Sequence, residues 1–256
     1  MTYSFNAINT PISGSRNPVP YVNGLTASWL STTTLTLNPG ACSDSLNIID
    51  MVVPTAITIS GTTQGVNGID NDDALTASSI YFVFVIGDSS GFNKPAGLIS
   101  LDPVSPKLPY GYDSFRVVDI KYTNSTPNFI LSYTNGEHGD REFVYDTPVL
   151  VLNGGSANTF TSVDLSTVAF GAIKVNLIAS ITPVAVTGAG DSIILKPGAS
   201  SSTKFAELSG SVAGKAQVGE LECLIGDNWT IDYILTAAGD VGSLWLKSYN
   251  YNIYIS

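Results

Sequence analysis

The alternation of apolar and polar residues along the chain predicts β-strands almost throughout. Residues 34–37 and 56–60 alternate strictly, and each run ends at a turn that contains glycine. Residues 80–86 form an unbroken run of β-branched and aromatic side chains, which is typical of a strand buried on both faces. The best case for a helix is residues 206–216, and two glycines inside that segment weaken it. The pattern therefore predicts an all-β fold.

Turn spacing and composition divide the chain into three predicted regions. Residues 1–20 are polar and rich in proline, which predicts an extended N-terminal arm. Residues 21–136 are predicted to form a first β domain, and the polar cluster at 135–141 marks its end. Residues 141–256 hold about eight or nine strand candidates with closely spaced turns. That spacing predicts a β-sandwich, and eight strands would make it jelly-roll-like.

The last predicted strand contains a conflict in its alternation. Tyr249, Tyr251, Ile253 and Ile255 fall on one face of a regular strand. Lys247 falls on the same face, although its charge belongs in solvent. The conflict predicts a break in register near the start of this strand.

The composition narrows the classes of partner. Charged residues make up 12% of the chain and hydrophobic residues 44%, whereas about 25% charge is typical. So few charges predict a surface of small polar residues, part of which is covered by neighbouring subunits. The net charge of −10 argues against binding to nucleic acid or to an anionic membrane. The N-terminus lacks a basic segment followed by an apolar run, so we expect synthesis in a cytoplasm without a secretion signal.

One acidic loop is a candidate metal site. Asp70, Asp72 and Asp73 supply three carboxylates within four residues, and calcium prefers several oxygen ligands in a flexible loop. The spacing does not match an EF-hand. An acidic surface turn is the favoured alternative, and no cofactor other than this candidate Ca²⁺ is predicted.

The remaining reactive residue types give little support to catalysis. His138 is the single histidine and lies in the polar cluster, where a solvated turn residue is the favoured interpretation over a base or a metal ligand. Cys42 and Cys223 are predicted to be buried free thiols. Asp119 and Asp232 lie on predicted strands, at positions interpreted as outward-facing. The sequence therefore predicts a protein that is not an enzyme.

A cluster of aromatic residues offers a second kind of candidate site. Tyr110, Tyr112 and Phe115 lie around Pro109 and Gly111. Exposed rings there would stack on sugars, whereas buried rings would anchor a long loop to the core. The anchoring role is the favoured interpretation.

Several motifs resemble a family of bacteriophage virion structural proteins. They are the segments at residues 21–25, 38–45, 67–70, 81–89, 98–100 and 106–116, which read YVNGL, NPGACSDS, NGID, YFVFVIGDS, LIS and PKLPYGYDSFR. A weaker likeness continues at residues 145–148 and 160–166, which read YDTP and FTSVDLS. The likeness covers about residues 20–170, and Asn71-Asp72 departs from the Thr-Gly common in the family. The resemblance implies a non-enzymatic particle component and offers no catalytic residues.

The resulting hypothesis is a capsid-associated decoration, spike or head-fibre protein, made in the host cytoplasm and located in the virion. Its expected partners are other virion proteins and further copies of itself, in a homotrimer. Two alternatives stay open, a tail adhesin that recognises host surface glycans and a small major coat protein. An enzyme such as a glycan depolymerase is disfavoured because the chain has one histidine and no catalytic motif.

Overall fold

A computed structural model describes residues 20–70, 74–136, 141–185, 191–199 and 205–252. The described chain is all-β, as the sequence predicts, and its strands form several antiparallel sheets. Most of the predicted arm lies outside the described residues. Within the described ranges, no helix has the length and apolar character needed to cross a bilayer.

Eleven strands precede residue 137 and pair into three small sheets and one hairpin strand. They are β1 (Val22–Gly24), β2 (Ala27–Ser31), β3 (Thr34–Leu37), β4 (Gly40–Ser43), β5 (Asp50–Val53), β6 (Ile57–Ser60), β7 (Gly68–Ile69), β8 (Ile80–Gly87), β9 (Ala96–Ser100), β10 (Ser114–Tyr122) and β11 (Ser132–Asn135). The sheet orders are β1-β4-β5, β2-β3-β6 and β10-β8-β9-β7. Strand β8 is buried on both faces from its second residue onward, which confirms the prediction for the apolar run.

Eight strands follow and form a jelly roll. They are β12 (Arg141–Gly155), β13 (Thr161–Asp164), β14 (Ala172–Thr182), β15 (Asp191–Pro197), β16 (Ala206–Gly210), β17 (Gln217–Leu224), β18 (Thr230–Leu235) and β19 (Val241–Tyr251). One sheet has the order β12-β19-β14-β17 and the other β13-β18-β15-β16. Numbered within the domain, these orders are first-eighth-third-sixth and second-seventh-fourth-fifth, which is the arrangement of two interlocked Greek keys. The two inner faces enclose an apolar core between the sheets.

The predicted break in the last strand is a β-bulge. In β19, Leu246 and Ser248 pair with consecutive residues of β14, so Lys247 is the extra residue. Before the bulge Leu244 and Leu246 face the core, and after it Tyr249 and Tyr251 do so. The bulge thereby removes Lys247 from the buried face and keeps the apolar residues inside.

Taken locally, the sequence predicts short strands at 143–145 and 149–152 and a turn at 153–155, whereas strand β12 is one element. It runs without interruption through the glycines that the sequence marks as a turn. The reason is its long partner, because β19 pairs with both ends of β12, at Arg141↔Tyr251 and at Gly155↔Gly242. The pairing shifts in register between Leu152 and Gly155, and Gly154 has a positive φ, so the local turn preference is retained as a bulge inside the strand.

The two halves of the chain share one sheet and one core. Strand β11 forms a hairpin with β12 and extends the jelly-roll sheet to the order β11-β12-β19-β14-β17. The apolar core is continuous from Val22 to Tyr251. The division of the chain at residues 136 and 141 stays a prediction, and the hairpin crosses it.

A buried carboxylate joins the halves, and it corrects the interpretation of Asp119 as outward-facing. Asp119 is fully buried. Its oxygens accept hydrogen bonds from the Ala27 amide (2.5 Å), the Thr134 hydroxyl (3.0 Å) and the Tyr251 hydroxyl (2.7 Å). These donors belong to three different strands, β2, β11 and β19. A carboxylate that satisfies donors from distant segments is tolerated inside the fold.

Two cations complete this cluster. Arg141 is fully buried, although the sequence places it at the end of a polar cluster. Its guanidinium lies 3.9 Å from Asp119 and donates to the backbone carbonyls of Gly24, Leu25 and Val118. Lys121 lies 3.8 Å from Asp119, and burial lowers the pKa of its ammonium group. The cluster fixes the first strands of the chain against the jelly roll.

Candidate functional site

Three loops meet at one end of the β8–β10 pair, and we call them the apical loops. They are the segments 44–49, 88–95 and 109–113. The second and third loops meet because Ser114 at the start of β10 pairs with Gly87 at the end of β8. The first joins them through a hydrogen bond from the Ser45 amide to the Phe115 carbonyl, at 2.7 Å.

Carboxylates hold the apical loops in shape. Asp88 accepts hydrogen bonds from the Ser90 hydroxyl (2.6 Å) and the Asn93 amide (2.9 Å). Asp113 accepts from the Ser89 hydroxyl and the Ser89 amide, and so joins the second and third loops. Hydrogen bonds from Ser90 and Asn93 lower the pKa of Asp88, and those from Ser89 lower the pKa of Asp113. Both groups are therefore held as carboxylates.

The apical loops expose large apolar side chains despite this order. Phe92 is 89% exposed and Tyr110 is essentially fully exposed. Each is next to a glycine with positive φ, Gly91 and Gly111, and the Asn93 side chain donates to the Gly111 carbonyl at 3.0 Å. Leu46 and Ile48 are also exposed, on the first loop. An ordered tip that exposes several apolar side chains is typical of a contact surface.

The three residues of the predicted aromatic cluster do not share one role, because two are anchored to the core and one is exposed. Tyr112 and Phe115 pack against the core, and Phe115 makes an edge contact with Phe84 at 5.8 Å between ring centroids. Anchoring is therefore confirmed for these two residues and wrong for Tyr110. Phe92 was not among the predicted site residues, although an aromatic residue inside a Gly-Phe-Asn turn between two strands could have indicated it.

A second apolar surface lies on the outer face of the five-stranded sheet. Leu150, Trp245 and Ile178 pair directly across β12, β19 and β14, so their side chains form one row. Leu150 is 47% exposed, and Trp245 is half-buried. Val218 is exposed on the edge strand β17. We call this surface the tryptophan face.

Of the three candidate calcium ligands, Asp70 lies within the described residues and the other two do not. Asp72 and Asp73 lie outside them, and no group of three metal-ligating side chains occurs among the residues that are described. Asp70 is buried, so an acidic surface turn is the wrong description for this residue. One of its oxygens accepts from the Ser100 hydroxyl (3.1 Å) and the Lys107 amide, and the other has no hydrogen-bond partner within the described part of the chain. Calcium binding here stays a prediction.

Of the other reactive side chains, the structure describes the two cysteines but not the histidine. His138 lies outside the described residues. Cys42 and Cys223 are free and buried, which confirms the prediction for both thiols, and burial raises the pKa of each to about 12. A thiol with so high a pKa stays protonated near neutral pH and is a poor nucleophile.

An open groove elsewhere on the first half has an uncharged lining among the described residues. Its lining residues carry hydroxyl, amide or apolar side chains, or are glycine: Thr33, Gly61, Thr62, Thr63, Gln64, Ile69, Ala74, Leu75, Pro127 and Asn128. This lining offers hydrogen bonds and apolar contacts rather than groups that transfer protons near neutral pH.

The sequence matches no protein-family model and no curated protein. The resemblance to phage virion proteins therefore depends on the sequence motifs alone.

Proposed function

We propose that the chain is a non-enzymatic structural component of a bacteriophage virion, attached to the capsid as a decoration, spike or head-fibre protein. The observation that carries the proposal is exposed apolar surface on a chain with few charges. Twenty large apolar side chains are exposed among the described residues. Several concentrate at the apical loops and the tryptophan face. Such patches on a soluble chain mark surfaces that a partner covers.

The jelly roll supports this proposal at the level of architecture. Eight-stranded jelly rolls occur in viral capsid and lectin domains, among others. A shared fold does not by itself determine a function. The surfaces of this chain therefore carry more of the argument than its topology.

The two apolar surfaces suggest two kinds of neighbour. The tryptophan face lies on the five-stranded sheet, with Trp245 in the middle of its apolar row, and a large aromatic side chain is expected where subunits of one oligomer meet. We assign it to contact between copies of this chain in a homotrimer. The apical loops project from the opposite half of the chain, and we assign them to contact with another virion protein.

Light scattering coupled to size-exclusion chromatography tests the oligomer. A trimer of the 26.9 kDa chain has a mass of about 81 kDa. Leu150→Glu places a charge beside Trp245 and should shift the protein toward the monomer. Val212→Glu is the matched control, because Val212 has a similar exposure of 44% and lies in the loop before β17. A monomeric wild type, or equal dissociation of both variants, contradicts the assignment of the tryptophan face.

Co-sedimentation with purified virions that lack this protein tests the apical loops. The wild-type chain should bind such particles, and the double variant Phe92→Ser, Tyr110→Ser should lose binding. Both side chains are exposed, so the substitutions should leave the fold unchanged. Equal binding of wild type and double variant contradicts the role of these loops.

A further inference from the structure

The outer face of the β13-β18-β15-β16 sheet carries a row of polar groups that neither surface described above includes. Ser162 pairs with Asp232, and Asp232 pairs with Lys196, so the three side chains cross three adjacent strands. Ile231 and Tyr233, the neighbours of Asp232 in the chain, are buried in the core. Strand alternation therefore places Asp232 and its row on the outer face.

The polar groups of this row are held in place. The Ser162 hydroxyl donates to one oxygen of Asp232 at 2.5 Å, and the Lys196 ammonium lies 3.5 Å from the other oxygen. The side chains of Lys196 and Asp232 are only 13% and 9% exposed, although they lie on an outer face. A carboxylate accepts about four hydrogen bonds and an ammonium group donates three, so the contacts given by the described residues leave part of this capacity unused.

Aromatic rings flank the polar row. The Phe160 ring covers Lys196, with 4.4 Å between the ammonium nitrogen and the ring centroid, and the residue is 40% exposed. On the other flank Ala206 pairs with Leu195, which brings the preceding Phe205 beside Lys196. Phe205 is 42% exposed, and its amide donates to the Leu195 carbonyl at 2.9 Å. The site thus combines two partly exposed rings with a fixed carboxylate, ammonium and hydroxyl.

We propose that this face binds a neutral saccharide. A pyranose ring has an apolar face, which suits stacking on Phe160 or Phe205, and a rim of hydroxyls, which suits hydrogen bonds to Asp232 and Lys196. The charges of Asp232 and Lys196 cancel, so the pair gives no net attraction for an acidic sugar. The overall charge of −10 further disfavours acidic glycans and nucleic acid. This binding is independent of the structural role proposed above.

A glycan array followed by calorimetry tests the site on the full chain. The array holds neutral oligosaccharides ending in hexose, deoxyhexose or N-acetylhexosamine, together with uronate and sialylated counterparts. We expect binding to a neutral member, and calorimetry with that member should show a three- to tenfold weaker affinity for Phe160→Ala. Lys196→Met should also weaken binding while preserving the aliphatic packing of the side chain. Phe92→Ala is the matched control and should bind as the wild type does.

The possible results distinguish saccharide binding from a contact between subunits. No binding to any neutral glycan, or binding restricted to acidic ones, overturns the proposal. So does an affinity that Phe160→Ala and Phe205→Ala both leave unchanged, or one that Phe92→Ala reduces equally. Loss of self-association in Phe160→Ala without any glycan binding would instead assign the face to contact between subunits. Far-ultraviolet circular dichroism on each variant establishes that it is folded.

Discussion

Replacement of Asp119 by asparagine is a sharp test of how the two halves of the chain are joined. The substitution keeps the size of the side chain and removes its charge. It also puts an amide group where one carboxylate oxygen accepts hydrogen bonds, from the Ala27 amide on one side or from the Thr134 and Tyr251 hydroxyls on the other. The hydroxyls can turn and accept from this amide group, but the backbone amide of Ile120, which donates to the same oxygen at 2.7 Å, cannot, and neither can that of Ala27. In either orientation, one buried N–H group therefore faces another donor.

The main cost is the charge left behind. Arg141 is fully buried and cannot lose its proton, so without Asp119 it becomes an uncompensated buried cation. Lys121 can respond differently, because burial already lowers its pKa. Breaking a buried ion pair by removing one partner typically costs about 3–5 kcal/mol. A domain is typically stable by only about 5–15 kcal/mol, so we expect Asp119→Asn to lose a large share of the free energy of unfolding.

Urea denaturation followed by tryptophan fluorescence measures this loss. Asp146→Asn is the matched control, since Asp146 is exposed on β12 and its substitution should cost less than about 0.5 kcal/mol. Lys121→Met should cost about 1 kcal/mol or less, because Asp119 keeps Arg141 as its partner. A loss below about 1 kcal/mol for Asp119→Asn, or an equal loss for Lys121→Met, refutes the reasoning.

Three further predictions use the buried titratable groups. In the native protein, Cys42 and Cys223 should resist an aromatic disulfide reagent at about pH 8, because burial raises the pKa of both thiols. Both should react fully in guanidinium chloride, and reaction of the native protein contradicts the prediction. Burial raises the pKa of Tyr249 and Tyr251 above the ordinary value of about 10, so their contribution to stability is present below that pH and is lost above it. The urea midpoint should fall from pH 9 to pH 11, and an unchanged midpoint contradicts the sign. Asp70→Ala should lower the free energy of unfolding by about 1–3 kcal/mol, because it removes two hydrogen bonds. The decrease should be equal in CaCl₂ and in EGTA, and a decrease seen only with calcium would establish the calcium site instead.

The strands could be predicted from the sequence wherever burial follows local alternation. Residues 34–37 and β8 show this directly, since their pattern alone determines which faces are buried. The bulge at Lys247 could also be predicted, because a charge in an apolar series allows few arrangements. The unbroken course of β12 could not, because it depends on pairing with a strand about a hundred residues away.

Buried charges escaped prediction for a related reason. A charged residue on a strand is normally outward-facing, and the partners that make Asp119 and Arg141 tolerable come from distant segments. For Asp232 the predicted outward-facing position is confirmed, but the residue is nevertheless buried. Only the tertiary arrangement reveals which charges have enough partners to be buried.

The existence of contact surfaces could be predicted from the sequence, but the residues that form them could not. The low charge content predicts covered surface, and the aromatic cluster near Tyr110 predicts either contact or anchoring. The choice between these roles depends on whether each ring reaches the core, which local sequence does not determine. Phe92 and Tyr110 lie in turns, where alternation carries no information about burial.

Mass spectrometry of purified virions tests the central claim most directly. The particles would come from the genome that encodes this chain, purified by density gradient and compared with the soluble fraction of the lysate. The account predicts peptides of this chain in the particle fraction, in a fixed ratio to the major coat protein. Peptides found only in the soluble lysate, with none in purified particles, would contradict it.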